Sequence, residues 1–295
     1  LIYGLVLARF VYISYSLNDW FCMTGPYNWV KMFPTCIAKE SGLHSPINLQ
    51  RVVIKNNSID PLELQGFDVP QKSWTVVNVR DTVVVKFQAG MTVKGGSIKH
   101  NYRIVEMRFH WGSNTTNGSE HKLDARRFPM EVHIHTHLEP NVYEMIACTC
   151  LLCFQIASEE NQAFKAIAHA VLNVPYPGKS KSVIIVHDGT FYQYHGGQTT
   201  PPCRQTVTWI VFEKPIFISR KQHLPFITQL YYSDENDTVK KLLVGNYRFI
   251  QPSLNRQIFV SSAVKIRSAS GAALSQRTLF IPLLILASEL SHTML

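Results

Sequence analysis

The stretch EVHIHTHL, residues 131–138, alternates ring or carboxylate side chains with aliphatic ones, and RIVEMRFHWG from Arg103 does the same with charged residues. A helix would scatter such residues around its surface, whereas a β-strand sends successive side chains to opposite faces. The pattern predicts two strands, one presenting Glu106, Arg108 and His110 on a shared face and the other Glu131, His133, His135 and His137. Laid side by side, such faces bring imidazoles and carboxylates within the few ångströms that a tetrahedral metal requires. Alternating histidines are also common as structural or exposed residues, so the spacing suggests metal chemistry without establishing it.

Other short β-rich runs are TVVVKF from Thr82, CTCLLCFQI from Cys148 and TVTWIVF from Thr206. Helical periodicity is clear in EENQAFKAIAHAVL, where Phe164, Ile167, Ala168 and Val171 share a face and Ser158 is the candidate cap. A second helix is expected after Ser219, disturbed by Pro225. No linker or internal repeat interrupts this pattern, so residues 28–263 are expected to form one mainly β (α+β) domain with short peripheral helices.

At 46% hydrophobic and 17% charged, the 295-residue chain can bury a sizeable core, and disorder is not indicated. Its formal charge of +9 comes from 29 Lys and Arg that form no basic run, so no nucleic-acid partner is expected.

The ends carry processing signals. Residues 1–20 open with LIYGLVLARFVYISYS, apolar but for Arg9, which reads as the remainder of a secretory signal or, alternatively, a first strand. Residues 268–295 hold small residues from Ser268 to Ala273, a polar spacer and LFIPLLILA from Leu279 to Ala287, the pattern of a GPI-anchor signal; the alternative is a disordered tail. Asn-x-Ser/Thr sequons stand at Asn56, Asn114, Asn117 and Asn236. The six cysteines permit bridges in an oxidising compartment. Cys148, Cys150 and Cys153 read either as a thiolate metal site or, on an apolar strand, as buried thiols, and Cys22 is left over. The expected location is secreted or at the outer face of the plasma membrane, with membrane contact only through a lipid anchor.

Several motifs follow one another in a telling order: GPYNW with FP, SPINL, FHWG, GSEH, FPMEVHIH, TTPPC, TWIVFEKP and GNYRFIQP. Over about four fifths of the chain this series resembles the α-carbonic anhydrases. The resemblance implies a largely antiparallel, twisted sheet of about ten strands, with zinc at the base of a conical cavity held by three histidines from two adjacent strands. In that family a zinc-bound hydroxide attacks carbon dioxide and gives bicarbonate. By motif, His110 stands at the second zinc ligand and His133 at the third, while Arg108 occupies the place of the first. Glu120 and Thr199 match the carboxylate–threonine relay that orients the hydroxide, and Glu131 the carboxylate that orients the third histidine. Glu106 stands where a glutamine supports the missing histidine. The pocket positions fall on Thr200, Trp209, Gln198 and Cys150, with His135 and Gln198 replacing aliphatic residues, and Asp81 stands where a proton-shuttling histidine is common. Cys36 and Cys203 match the disulfide of extracellular members, worth about 4 kcal/mol for so long a loop. The stretches between His137 and Cys148 and between Lys181 and Tyr192 are shorter than usual for the family.

Two readings follow from the resemblance. In one, the chain is a binding module that has lost catalysis, as in the carbonic-anhydrase-related proteins, and its partner is a protein of unknown identity. Arg108 then supplies to Glu106, Glu120 and Glu131 the positive charge that the metal gave. In the other, the chain remains a zinc lyase acting on carbon dioxide and bicarbonate, with His135 joining His110 and His133 around the metal.

Overall fold

A computed structural model describes residues 29–37, 42–50, 59–67, 74–87, 90–138, 147–177, 180–181, 190–261 and 264–267, with backbone alone for 138, 147–152, 180–181 and 264–267. Residues 1–20, the tail from 268, Cys22, Asn56 and most of the two shortened stretches lie outside the described residues.

The strands are β1 (Asn48–Leu49), β2 (Asp60–Gln65), β3 (Thr75–Asn78), β4 (Val83–Lys86), β5 (Thr92–Gly96), β6 (Ile98–Trp111), β7 (Lys122–Leu123) and β8 (Met130–Leu138), followed by β9 (Ala147–Ala157), β10 (Ser180–Lys181), β11 (Phe191–Gly196), β12 (Val207–Phe212), β13 (Ile216–Ser219), β14 (Ile258–Ser261) and β15 (Val264–Arg267). The pair β1–β7 stands apart, and the other 13 strands form one sheet in the order β10-β3-β4-β6-β8-β9-β12-β11-β14. Strands β4 and β5 pair with successive parts of β6, and β2 and β15 continue beyond β5. The sheet is mostly antiparallel, but β12 and β13 run parallel to β9, and β15 runs parallel to β2. It is larger than the ten strands expected because short strands such as β10, β13 and β15 owe their pairing to distant partners rather than to local sequence.

All the β-rich runs singled out in the sequence are strands here. Every residue of β12 is buried, as a central strand covered on both faces must be, and this accounts for the unbroken apolar run VTWIVF. One face of the sheet is closed by two helices, α2 (Gln162–Val171) and α3 (Arg220–Thr228); a short α1 (Trp29–Met32) lies near the chain start. Phe109 from β6 and Phe154 from β9 meet Phe164 of α2 and Phe226 of α3 with ring centroids 5.0–6.4 Å apart. Truncating any one of these rings to alanine would cost about 3–5 kcal/mol.

The cap of α2 is Asn161, not Ser158: the Phe164 N–H donates to Asn161 Oδ1 at 3.0 Å, and Ser158 is exposed. Gln222 selects that start, since its carboxamide accepts from Asn161 N at 2.9 Å and donates to Asn161 O at 2.7 Å. Gln222 also completes a capping box with Ser219 at the start of α3, and this helix contains Pro225 within its span.

Candidate functional site

On the sheet face away from the helices, β6 and β8 run antiparallel with Arg108 directly opposite His133, His110 opposite Glu131, and Glu106 opposite His135. The period-two reading holds here: Met107, Phe109, Val132 and Ile134 enter the helix-side core, leaving the charged and imidazole side chains on the other face. A bulge between Ile104 and Glu106 breaks strict alternation and leaves Val105 and Glu106 both half-buried.

The long Arg108 side chain folds back along its own strand. Its Nε donates to Glu106 Oε1 at 2.7 Å, although the two residues are only two apart, and its Nη1 stands 3.9 Å from Asp81 Oδ2. These three side chains are 32%, 20% and 27% exposed, so they form the partly wet side of the site. Burial alone would raise the Glu106 carboxyl, but His135 and Arg108 overcome it and hold its pKa down at about 2. Burial raises Asp81, with Arg108 opposing. His135 turns toward the same carboxylate, its Nδ1 lying 3.4 Å from Glu106 Oε1, and burial with Arg108 nearby depresses its pKa.

Deeper in, the polar groups are fully buried. His110 donates from Nδ1 to Asn246 O at 2.8 Å. His133 donates from Nε2 to Glu131 Oε1 at 2.6 Å, and its ring lies 4.3 Å from that of His110 and 4.9 Å from that of Trp209. Burial and the neighbouring His110 keep His133 well below its ordinary pKa, hence neutral. Burial pushes Glu131 up, yet His121 and His133 outweigh it and hold the carboxyl far below the usual range. Glu131 also accepts from the His121 backbone N–H at 2.8 Å and meets His121 Nδ1 at 3.0 Å, while His121 Nε2 meets the Tyr194 hydroxyl at 2.5 Å.

Glu120 accepts from the Arg248 backbone N–H at 2.6 Å through Oε1. Among the described residues its Oε2 is buried without a hydrogen bond, and burial raises its pKa while His110, the nearby Thr199 hydroxyl and Arg248 resist. The Arg248 guanidinium, itself buried, donates to Ser45 O at 2.8 Å and Cys36 O at 2.7 Å. Cys36 is bonded to Cys203, 167 residues away, and Cys203 closes the Thr199–Cys203 turn by donating to Thr200 O at 2.9 Å. The disulfide and Arg248 thus moor the Thr199 loop to the Glu120 side of the site.

Of the remaining sequence candidates, Trp209 donates to Gly197 O at 3.1 Å beneath the histidines, and Thr200 and Gln198 are half-buried. Cys150 aligns with Ile134 in the sheet, but its side chain lies outside the described residues; Cys153 is a buried free thiol. Asn114, Asn117 and Asn236 are exposed. Contrary to the expectation that Arg108 serves three carboxylates, its ionic partners are Glu106 and Asp81, while Glu120 and Glu131 are served by backbone N–H groups and by histidines. Sequence reasoning passed over His121, Tyr194, Asn246 and Arg248. The first and last two lie inside motifs already recognised, GSEH and GNYRF, which was the available signal.

Two donor clusters have all their atoms within 4.8 Å of one another: His110, Glu120 and His133, and His121, Glu131 and His133; His135 is in neither. Among the described residues, Nε2 of His110 and Nδ1 of His133 have no hydrogen bond, whereas the Glu120 oxygens stand 3.5–3.6 Å from the two nitrogens on the other sides of those rings. A three-nitrogen zinc site needs a third lone pair beside the two unbonded nitrogens. Opposite His133 stands a guanidinium, which has no lone pair to give, so these residues do not fit that site.

Fold and site together define a β-sheet protein whose histidine–carboxylate cluster sits on two neighbouring central strands, as in the α-carbonic anhydrase fold. The chain belongs to the eukaryotic-type carbonic anhydrase family, whose profile matches residues 24–262. It is 31% identical over 253 residues to carbonic anhydrase 4 of Mus musculus, covering 81% of this chain and 80% of that protein. It is 28% identical to carbonic anhydrase 12 of Homo sapiens, covering 89% and 78% respectively. It is also 31% identical to a stretch of the human receptor-type tyrosine-protein phosphatase zeta, covering 79% of this chain but 11% of that protein.

Proposed function

We propose that this carbonic anhydrase family member has lost zinc-dependent hydration of carbon dioxide and serves outside the cell as a binding module for a protein partner. The observation that carries the reading is Arg108: the position facing His133, where a third imidazole would be needed, carries a permanent cation engaged at 2.7 Å by Glu106. Guanidinium cannot be deprotonated in a protein, so it repels a divalent ion and supplies no ligand. Glu120 and Thr199 match the family's relay by motif, but with only two imidazole ligands they would have no firmly held hydroxide to orient.

Similarity to a domain-sized stretch of a receptor-type protein supports a recognition role. The Cys36–Cys203 bridge supports an oxidising, extracellular setting, and the apolar run from Leu279 supports attachment by a lipid anchor.

The test is zinc content and carbon dioxide hydration of the native chain purified without added metal. The expected result is far less than one zinc per chain and hydration at the uncatalysed rate. One tightly held zinc with rapid turnover would overturn the proposal.

A further inference from the structure

Helices α2 and α3 cover the core with their inner faces and leave a groove between their outer ones. It consists of two adjoining cavities of about 730 and 500 Å³ whose walls share Glu160, Gln162 and Lys221. One end opens where the two helices begin, at Ser158 and Ser219, and the other runs out over Ala166, Pro225 and Leu172. The junction is fixed in advance, because the Gln222 carboxamide holds both the backbone N–H and the C=O of Asn161, and Ser219 caps α3 beside it. A preformed groove spares an incoming chain the cost of ordering its receptor.

The walls combine apolar surface with unspent charge. Leu172 and Leu224 line the groove at 49% and 43% exposed, and Phe217, 56% exposed, stands on β13 where its carbonyl accepts from Asn161 Nδ2 at 2.9 Å. Single exposed leucines are ordinary on a protein surface, but these two lie along one continuous depression. Three cations, Lys165, Arg220 and Lys221, face two acids, Glu159 and Glu160, and Lys165 lies 3.7 Å from Glu160. Arg220 and Lys221 have no ionic partner among the described residues, so the end where the helices begin is short of negative charge while the far end is apolar.

We propose that this groove is the docking surface for the protein partner and takes an acidic amphipathic helix, with leucine-like side chains over Leu172, Ala166 and Leu224 and carboxylates turned toward Arg220 and Lys221. Helices laid into grooves bind by apolar anchors along one face, while charges at the rim fix the register and turn away segments of the wrong sign. The helices lie on the opposite side of the sheet from the histidine cluster, so a ligand held here leaves that cluster uncovered. The inference deepens the binding-module reading and rests on it.

The probe is a synthetic helical peptide with leucines along one face and glutamates along the other, titrated by fluorescence anisotropy against the full chain. Control peptides carry lysine for glutamate or alanine for leucine. The leucine–glutamate peptide is expected to bind at least about tenfold more tightly than either control, to lose about tenfold in Arg220→Glu with Lys221→Glu, and to slow hydrogen exchange in 158–172 and 219–225. Both substitutions lie in the first turn of α3, where glutamate suits the helix, and an unchanged thermal melt confirms folding. Leu172→Ser with Leu224→Ser should also weaken binding. Reversing two exposed cations outside the groove, Lys31→Glu with Arg204→Glu, should leave the affinity unchanged. An equal loss in that variant would reduce the effect to net charge and overturn the proposal, as would no binding, equal binding of the alanine peptide, or protection elsewhere in the chain. Phosphatidylserine vesicles held through Arg220 and Lys221 while the peptide is not would replace the protein partner by a membrane. Zinc content of the same preparation judges the loss of catalysis separately: a zinc-free chain that ignores the peptide sinks the docking surface alone.

Discussion

Arg108 and His133 face each other across the antiparallel pair β6–β8, and the arginine reaches back 2.7 Å to Glu106 rather than across to the histidine. That single relationship puts a permanent cation, in place of a third lone pair, at the position that faces His133.

Arg108→His should raise zinc affinity by several orders of magnitude, because three neutral imidazoles would then share the site. Equilibrium metal titration against a competing chelator checks this. His135→Ala in the same background should leave affinity nearly unchanged, since His135 is directed at Glu106. Loss of the gained zinc in that double variant would place His135 among the ligands.

Glu106→Gln should lower stability at pH 7 by about 1–2 kcal/mol, because the folded carboxyl is held at about 2, with the effect discounted for the partial exposure of the pair. The carboxyl's folded pKa, about 2, lies below its unfolded value, so its contribution is present above about pH 4.5 and fades as pH falls toward 2. Denaturant melts at pH 7 and pH 3 should differ less in the variant than in the parent. An equal pH dependence in both would show that Arg108 does not favour the ionised form.

His223 is buried, neither of its ring nitrogens has a hydrogen bond among the described residues, and burial beside Arg220 depresses its pKa to about 4. The unfolded chain takes up a proton near pH 6.5 and the folded one only near pH 4, so stability present above pH 6.5 is lost as pH falls through this window. The loss should be on the order of 2–3 kcal/mol. His223→Leu should remove that acid limb and melt higher at pH 5, as thermal scans between pH 7 and pH 4.5 would reveal. An unchanged limb would place the sensitivity elsewhere.

Opening the Cys36–Cys203 bridge by Cys36→Ser together with Cys203→Ser should cost about 4 kcal/mol through the long loop it closes. Proteolysis should then cut first near the Thr199–Cys203 turn, because the mooring of that turn to the chain start is gone. Cleavage confined to other loops would argue that Arg248 holds the turn unaided.

The sequence alone showed the two strands of the site, because period-two alternation is a local property that survives in 106–110 and 131–137 whatever packs around them. The motif order likewise gave the family, the mainly β fold and the Cys36–Cys203 pairing. What depends on distance through space was not legible. Asn161 displaced Ser158 as cap because Gln222, some sixty residues on, binds its backbone. That Arg108 also nears Asp81 depends on the approach of that residue from beyond β3, and the role of His121 depends on Glu131 and Tyr194 arriving from other strands. Residue types and their spacing determined which chemical groups the site contains; only the packed sheet decided which of them touch, because hydrogen bonds and ion pairs act over about 3 Å, a range set by tertiary register and not by sequence separation.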